Sequence, residues 1–94
     1  MKVVLNKVAR ENVAATSTYI NTISTEGSGE RWAAKITSFI RTYAKPNVTY
    51  SLCKHHSLSR FNYQCISYGD WVIAFRVRGD KFEVRRIIHG SRLS

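Results

Sequence analysis

Arg76, Arg78, Arg85 and His89 draw attention because their spacing can bring all four to one surface. Trp71, Ile73, Phe75 and Val77 alternate with Val72, Ala74, Arg76 and Arg78, the period of two that gives a β-strand two distinct faces. Gly79-Asp80 suits a tight hairpin turn, since glycine takes positive φ without a Cβ clash. Lys81 to His89 then reads as the return strand. A two-residue turn pairs Val77 with Phe82, Arg76 with Glu83, Phe75 with Val84, Ala74 with Arg85 and Val72 with Ile87. One face of this hairpin carries Trp71, Ile73, Phe75 and Val77 with Phe82, Val84 and Ile88, and needs burial. The other carries Arg76, Arg78, Glu83, Arg85 and His89, and needs water or an anion. Arg86 breaks the pattern by falling on the apolar face opposite Ile73. Either a β-bulge near Arg85-Arg86 turns it outward, or it lies near the sheet's end and snorkels its charge to water.

A second basic group, Lys54, His55, His56 and Arg60, lies in the stretch Val48 to Phe61. This stretch mixes strand-forming residues with Ser, Lys and His and has no clean period, so it reads as a loop or short extended segment. Adjacent histidines in a loop are more often solvated surface than catalytic. Cys53 and Cys65 are expected to be reduced and partly buried, with a disulfide between them the less favoured reading. No C-x-x-C pair occurs, and His55-His56 are adjacent instead of spaced for one face, so no metal site is expected. No cofactor is expected either.

The elements that position these groups must come from one small domain. The 94 residues allow a single modest core, so one domain over 1–94 is expected. A hydrophobic content of 44% fits a globular chain and excludes wholesale disorder. A net charge of +9 draws the chain to polyanions: nucleic acid, a ribosome, an acidic protein or an anionic membrane surface. No apolar run reaches the ~18 residues of a membrane span and no signal-peptide core opens the chain, so a cytoplasmic location without membrane partner is expected.

Met1 to Asn6 suits a strand, and its apolar residues on both faces suggest a place inside the sheet. Asn6 is a credible cap for a helix over Lys7 to about Thr25, with Ala9, Val13, Thr16, Ile20 and Ile23 as its apolar stripe. Gly27 reads as the terminator and Ser28 as the next cap. Trp32, Ile36, Phe39, Ile40 and Tyr43 mark a second amphipathic helix from about Glu30 to Ala44, stopped by Pro46. Asn62 to Ser67 reads as a strand, turned by Tyr68-Gly69-Asp70 into the hairpin. The order β-α-α-β-β-β predicts an α+β fold, a helical hairpin on one face of a small, mostly antiparallel four-stranded sheet. The opposite face is then expected to stay open.

Two segments carry a resemblance to a known family. Asp70-Trp71-Val72-Ile73-Ala74-Phe75-Arg76-Val77 resembles the central strand of the RelE/ParE superfamily of type II toxin-antitoxin toxins. Arg86-Ile87-Ile88-His89-Gly90-Ser91-Arg92 resembles the closing segment of its ParE branch, also called plasmid-stabilisation proteins. Tyr19-Ile20 and Pro46 also sit where that family has them. The resemblance implies a bacterial toxin that arrests growth and is neutralised by a cognate antitoxin. ParE-like members act on DNA gyrase and need no catalytic set; RelE-like members cut mRNA in the ribosome without a metal. For the ribonuclease reading, the resemblance implies His89 as acid or base and Arg76 and Arg85 as phosphate clamps. Lys54-His55-His56-Ser57-Leu58 and Asp70-Trp71 are similar to segments of one nuclease subgroup, which makes His56 a second acid/base candidate. Other residues of that nuclease set have no counterpart, so the resemblance favours the ParE-like, gyrase-directed reading. Target or nucleic-acid contact is expected from Arg76, Arg78, Lys54, Arg60, Arg85 and Arg92. A third reading is a degenerate or non-toxic basic module that binds nucleic acid.

Overall fold

A computed structural model describes residues 1–45 and 50–93. The elements run β1 (Lys2–Leu5), α1 (Lys7–Ile23), α2 (Ser28–Tyr43), α3 (His56–Ser59), β2 (Gln64–Tyr68), β3 (Trp71–Arg78) and β4 (Lys81–His89), closed by a 3-10 turn at Gly90–Arg92. The strands form one sheet in the order β1-β4-β3-β2, antiparallel except for the parallel β1–β4 pair. This is the expected α+β architecture, with α1 and α2 on one sheet face. Pro46, predicted to stop the second helix, and Val48, the start of the predicted loop, lie outside the described residues.

Asn6 caps α1 as expected, its Oδ1 accepting from the Ala9 amide at 2.8 Å. The helix ends at Ile23, and α2 begins at Ser28 with Gly27 as its cap at φ +88°. Ser28 is therefore inside α2 and not its cap. The side chain that serves the start of α2 comes from the preceding helix: Asn21 Oδ1 accepts from the Gly29 amide at 2.8 Å. The two helices approach so closely there that a Cβ on Gly29 would fall on the Ser17 carbonyl.

The principal core lies between helices and sheet. Ile36 and Ile40 of α2 meet Ile73 and Phe75 of β3 and Phe82, Val84 and Ile87 of β4. Phe75 and Phe82 stack at 4.1 Å across the hairpin and are fully buried, worth roughly 1.5–3 kcal/mol each. On α1 the stripe is buried only at Ala9, and it ends with Ile23 64% exposed.

Three expectations are corrected. β1 is an edge strand, paired only with β4; Val3 and Leu5 pack toward the helices, and the strand's shortness limits what its free edge exposes. The stretch read as a loop contains α3, and it packs on the second sheet face. There Cys53, Leu58, Tyr63 and Ala74 form a small separate core, flanked by Val72, Ile88 and Leu93. That face is consequently only half open. Finally, Cys53 and Cys65 are joined in a disulfide, their Cα atoms 4.8 Å apart. Their neighbours force the proximity, because Cys53 N–H donates to the Tyr63 carbonyl and Cys65 N–H to that of Ser51.

Candidate functional site

The register of the β3–β4 hairpin decides which side chains share a surface. From the Gly79-Asp80 turn it runs as expected through Val77–Phe82, Arg76–Glu83 and Phe75–Val84. Gly79 alone takes positive φ there, at +59°. A bulge then intervenes, and Ala74 pairs with Arg86 instead of Arg85. Every later pair moves by one: Ile73 with Ile87, Val72 with Ile88 and Trp71 with His89. Of the two devices open for Arg86, the bulge is the one used.

The bulge has a clear energetic reason. Without it Arg86 would stand in the core opposite Ile73, and an unpaired buried charge costs several kcal/mol. With it, Ile87 enters the core at 2% exposure and Ile88 moves to the small second core. The β4 edge left free past the end of β1 is served by α1, where Asn12 Oδ1 accepts from the Ile87 amide at 3.1 Å.

The second sheet face thus gathers Lys2, Arg76, Arg78, Lys81, Arg85 and Arg86 around one acid, Glu83. Glu83 pairs with Arg85 at 3.2 Å, and among the described residues no other ion pair forms. Arg85 Nε is buried without a partner. Arg86 Nη1 donates to the Arg85 carbonyl, and Arg78 is exposed. Arg76 reaches sideways, donating from Nη2 to the Phe61 carbonyl at 3.1 Å. There it meets a stack that climbs off the sheet: Arg76 over Tyr63, Tyr63 against Phe61 at 5.4 Å, and Arg60 over Phe61 at 4.7 Å. Phe61 is 42% exposed, and Lys54 and His56 are exposed on the same covering segment.

His89 does not belong to this assembly. By pairing with Trp71 it lies on the helix side of the sheet, its ring edge-on to the indole at 5.1 Å. Its Nδ1 accepts from the Ser91 amide at 3.2 Å, capping the 3-10 turn, and contacts Ser91 Oγ at 2.7 Å. Arg92 follows His89 to this side, bordering a groove of about 550 Å³ between α1 and the end of β4. Tyr19, Ile20, Ile23 and Ile87 supply its apolar lining.

The predicted site residues therefore divide. Arg76, Arg78 and Arg85 share the sheet face; Lys54, His56 and Arg60 sit on the segment that covers part of it; His89 and Arg92 lie across the sheet. Arg86, Lys81 and Lys2 belong to the face and went unassigned by sequence reasoning. The signal for Arg86 was its misfit in the alternation, which marks a bulge without saying where the following residues go. Among the described residues no three His, Cys, Asp or Glu side chains gather as a metal site, and no helix is long and apolar enough to cross a membrane.

Comparison with known proteins yields likenesses of structure alone. No family model matches the chain, and no curated protein matches it. A chain of the chromosomal ParDE TA system from P. aeruginosa superposes with a TM-score of 0.77 over 95% of both chains, at 12% identity. A chain of the RelB-RelE antitoxin-toxin complex from Methanococcus jannaschii gives 0.51 over 95% of this chain and 92% of that one, at 18% identity. The fold of this chain is that of RelE/ParE-like proteins.

Proposed function

We propose that this chain is the toxin of a type II toxin-antitoxin pair, ParE-like in action, which arrests growth by binding DNA gyrase in the cytoplasm. The observation that carries this reading is the separation of His89 from the arginines. A ribonuclease centre needs an acid or base beside its phosphate clamps. Here the imidazole lies across the sheet from Arg76 and Arg85 and is committed to a backbone cap. A cationic face whose one acid from β4, Glu83, is paired with Arg85 suits binding, and the fold shared with the ParDE chain supports the same class.

Such a face also suits neutralisation by an acidic segment of a cognate antitoxin, which would cover the arginines directly. Induction in a bacterial host should arrest growth, and co-expression of the adjacent gene should restore it. Purified protein in a gyrase supercoiling assay decides the target, with undiminished supercoiling at excess protein rejecting the gyrase reading.

One contact favours a second reading as a ribosome-dependent mRNA endonuclease. The Arg76–Phe61 hydrogen bond ties the arginine face to the segment bearing His56 and Lys54, which leaves His56 as the acid/base candidate. Toeprinting on translating ribosomes tests it: cleavage abolished by His56→Gln but retained in His89→Asn would favour the nuclease.

A further inference from the structure

We propose that the Cys53–Cys65 disulfide is a redox switch governing the cationic face. The identification of that face as the target-contacting surface rests on the function proposed above; the switch itself rests on how the covering segment is held. The 53–65 segment presents Lys54, His56, Arg60 and Phe61, and joins them to the sheet through the Arg60–Phe61–Tyr63–Arg76 stack. Its end is fixed where Gln64 and Cys65 pair with β3, but among the described residues few contacts besides the disulfide hold the part between the cysteines. They are the small core around Leu58 and Tyr63, the Leu52–Gln64 bridge with its flanking backbone hydrogen bonds, the Gln64 side-chain amide donating to the Tyr50 carbonyl, and the Arg76–Phe61 hydrogen bond. A cover seated on so small an apolar patch depends on its covalent clamp, because the cross-link removes most of the freedom the opened segment would gain.

The two cysteines differ in exposure. Cys53 is 4% exposed, whereas Cys65 is half-buried on β2. A dithiol reductant therefore attacks Cys65 through one thiolate. The S–S bond breaks, Cys53 leaves as a thiolate and takes a proton, and a mixed disulfide forms at Cys65. The second thiol of the reductant displaces Cys65, which is protonated in turn, and the reductant departs as a disulfide. Two electrons and two protons pass to the protein. In the reduced chain the segment lifts, the Arg76–Phe61 bond opens, and Lys54 and Arg60 no longer stand beside the sheet arginines.

Hydrogen exchange on the full chain, with and without dithiothreitol, tests this. Reduction should speed exchange of the Cys53 and Cys65 amides by on the order of 100-fold, the loop-closure effect of such a cross-link. Amides of Ile73 and Phe82 in the main core should keep their rates. Cys53→Ser and Cys65→Ser should each exchange like the reduced protein and ignore dithiothreitol. Unchanged exchange in the 53–65 segment on reduction overturns the proposal, as does an intact mass showing two free thiols after aerobic purification. Reduction should also weaken gyrase inhibition. A reduction-sensitive segment in a protein that never inhibits gyrase upholds the switch and rejects the gyrase reading alone.

Discussion

His89 illustrates how one hydrogen bond constrains chemistry. The Ser91 amide needs an acceptor, Nδ1 supplies it, and the ring is thereby oriented against Trp71 and away from the arginines. His89→Asn keeps an acceptor and should preserve both fold and growth arrest. His89→Ala should cost about 1 kcal/mol, the usual loss for a missing cap, read as a lower urea midpoint. Were the imidazole the acid or base, both variants would lose activity alike. Asn12 is a comparable single point of support. Asn12→Ala leaves the Ile87 amide without its acceptor and should cost about 1–2 kcal/mol in the same measurement. Neither role was legible in the chain: a histidine two residues before a serine and an asparagine within a helix have no local mark of what they will bond.

At the scale of elements, the junction between α1 and α2 is held by Asn21 in two directions. Its carbonyl takes the Gly29 amide, and its amide group donates to both Glu30 oxygens, at 3.0 and 3.1 Å. That donation holds the Glu30 carboxyl below its ordinary value of 4.5. A depressed carboxylate stabilises the folded state above its unfolded pKa, and this contribution disappears as pH falls through the folded value. Glu30→Gln should therefore lower stability slightly near neutrality and leave the acid end unchanged, which flattens the acid limb of the stability profile, as urea titrations at several pH values would record. Gly29→Ala should do far more damage, about 3 kcal/mol or more, because its methyl meets backbone that cannot step aside. Thermal midpoints would report it, with Gly69→Ala as the milder comparison: that glycine is at φ +58° with open space around it, so only the left-handed penalty of about 1–2 kcal/mol applies.

For the whole molecule, charge is the property that acts at a distance. Six cations face one acid on the sheet, and a field of that kind steers anionic partners in a salt-dependent way. Association with the antitoxin or target should slow as ionic strength rises above about 0.15 M, where the screening length is about 8 Å. Reversing the exposed Arg78 and Lys81 to Glu should slow association about tenfold or more while leaving thermal stability nearly unchanged, a contrast that stopped-flow mixing and a melting curve together reveal. Much of this architecture was open to reading in advance. Alternation from Trp71 to Val77, the Gly79-Asp80 turn, the Asn6 cap and the four-and-three spacing of α2 are local patterns, and local patterns survive because backbone geometry imposes them. The bulge at Arg85, the seat of the covering segment on Ala74, the Cys53–Cys65 bond and the separation of His89 from Arg76 were decided only in three dimensions. Each depends on which residues distant in the chain compete for the same space, and a single skipped position in β4 was enough to place every side chain beyond it on the opposite face.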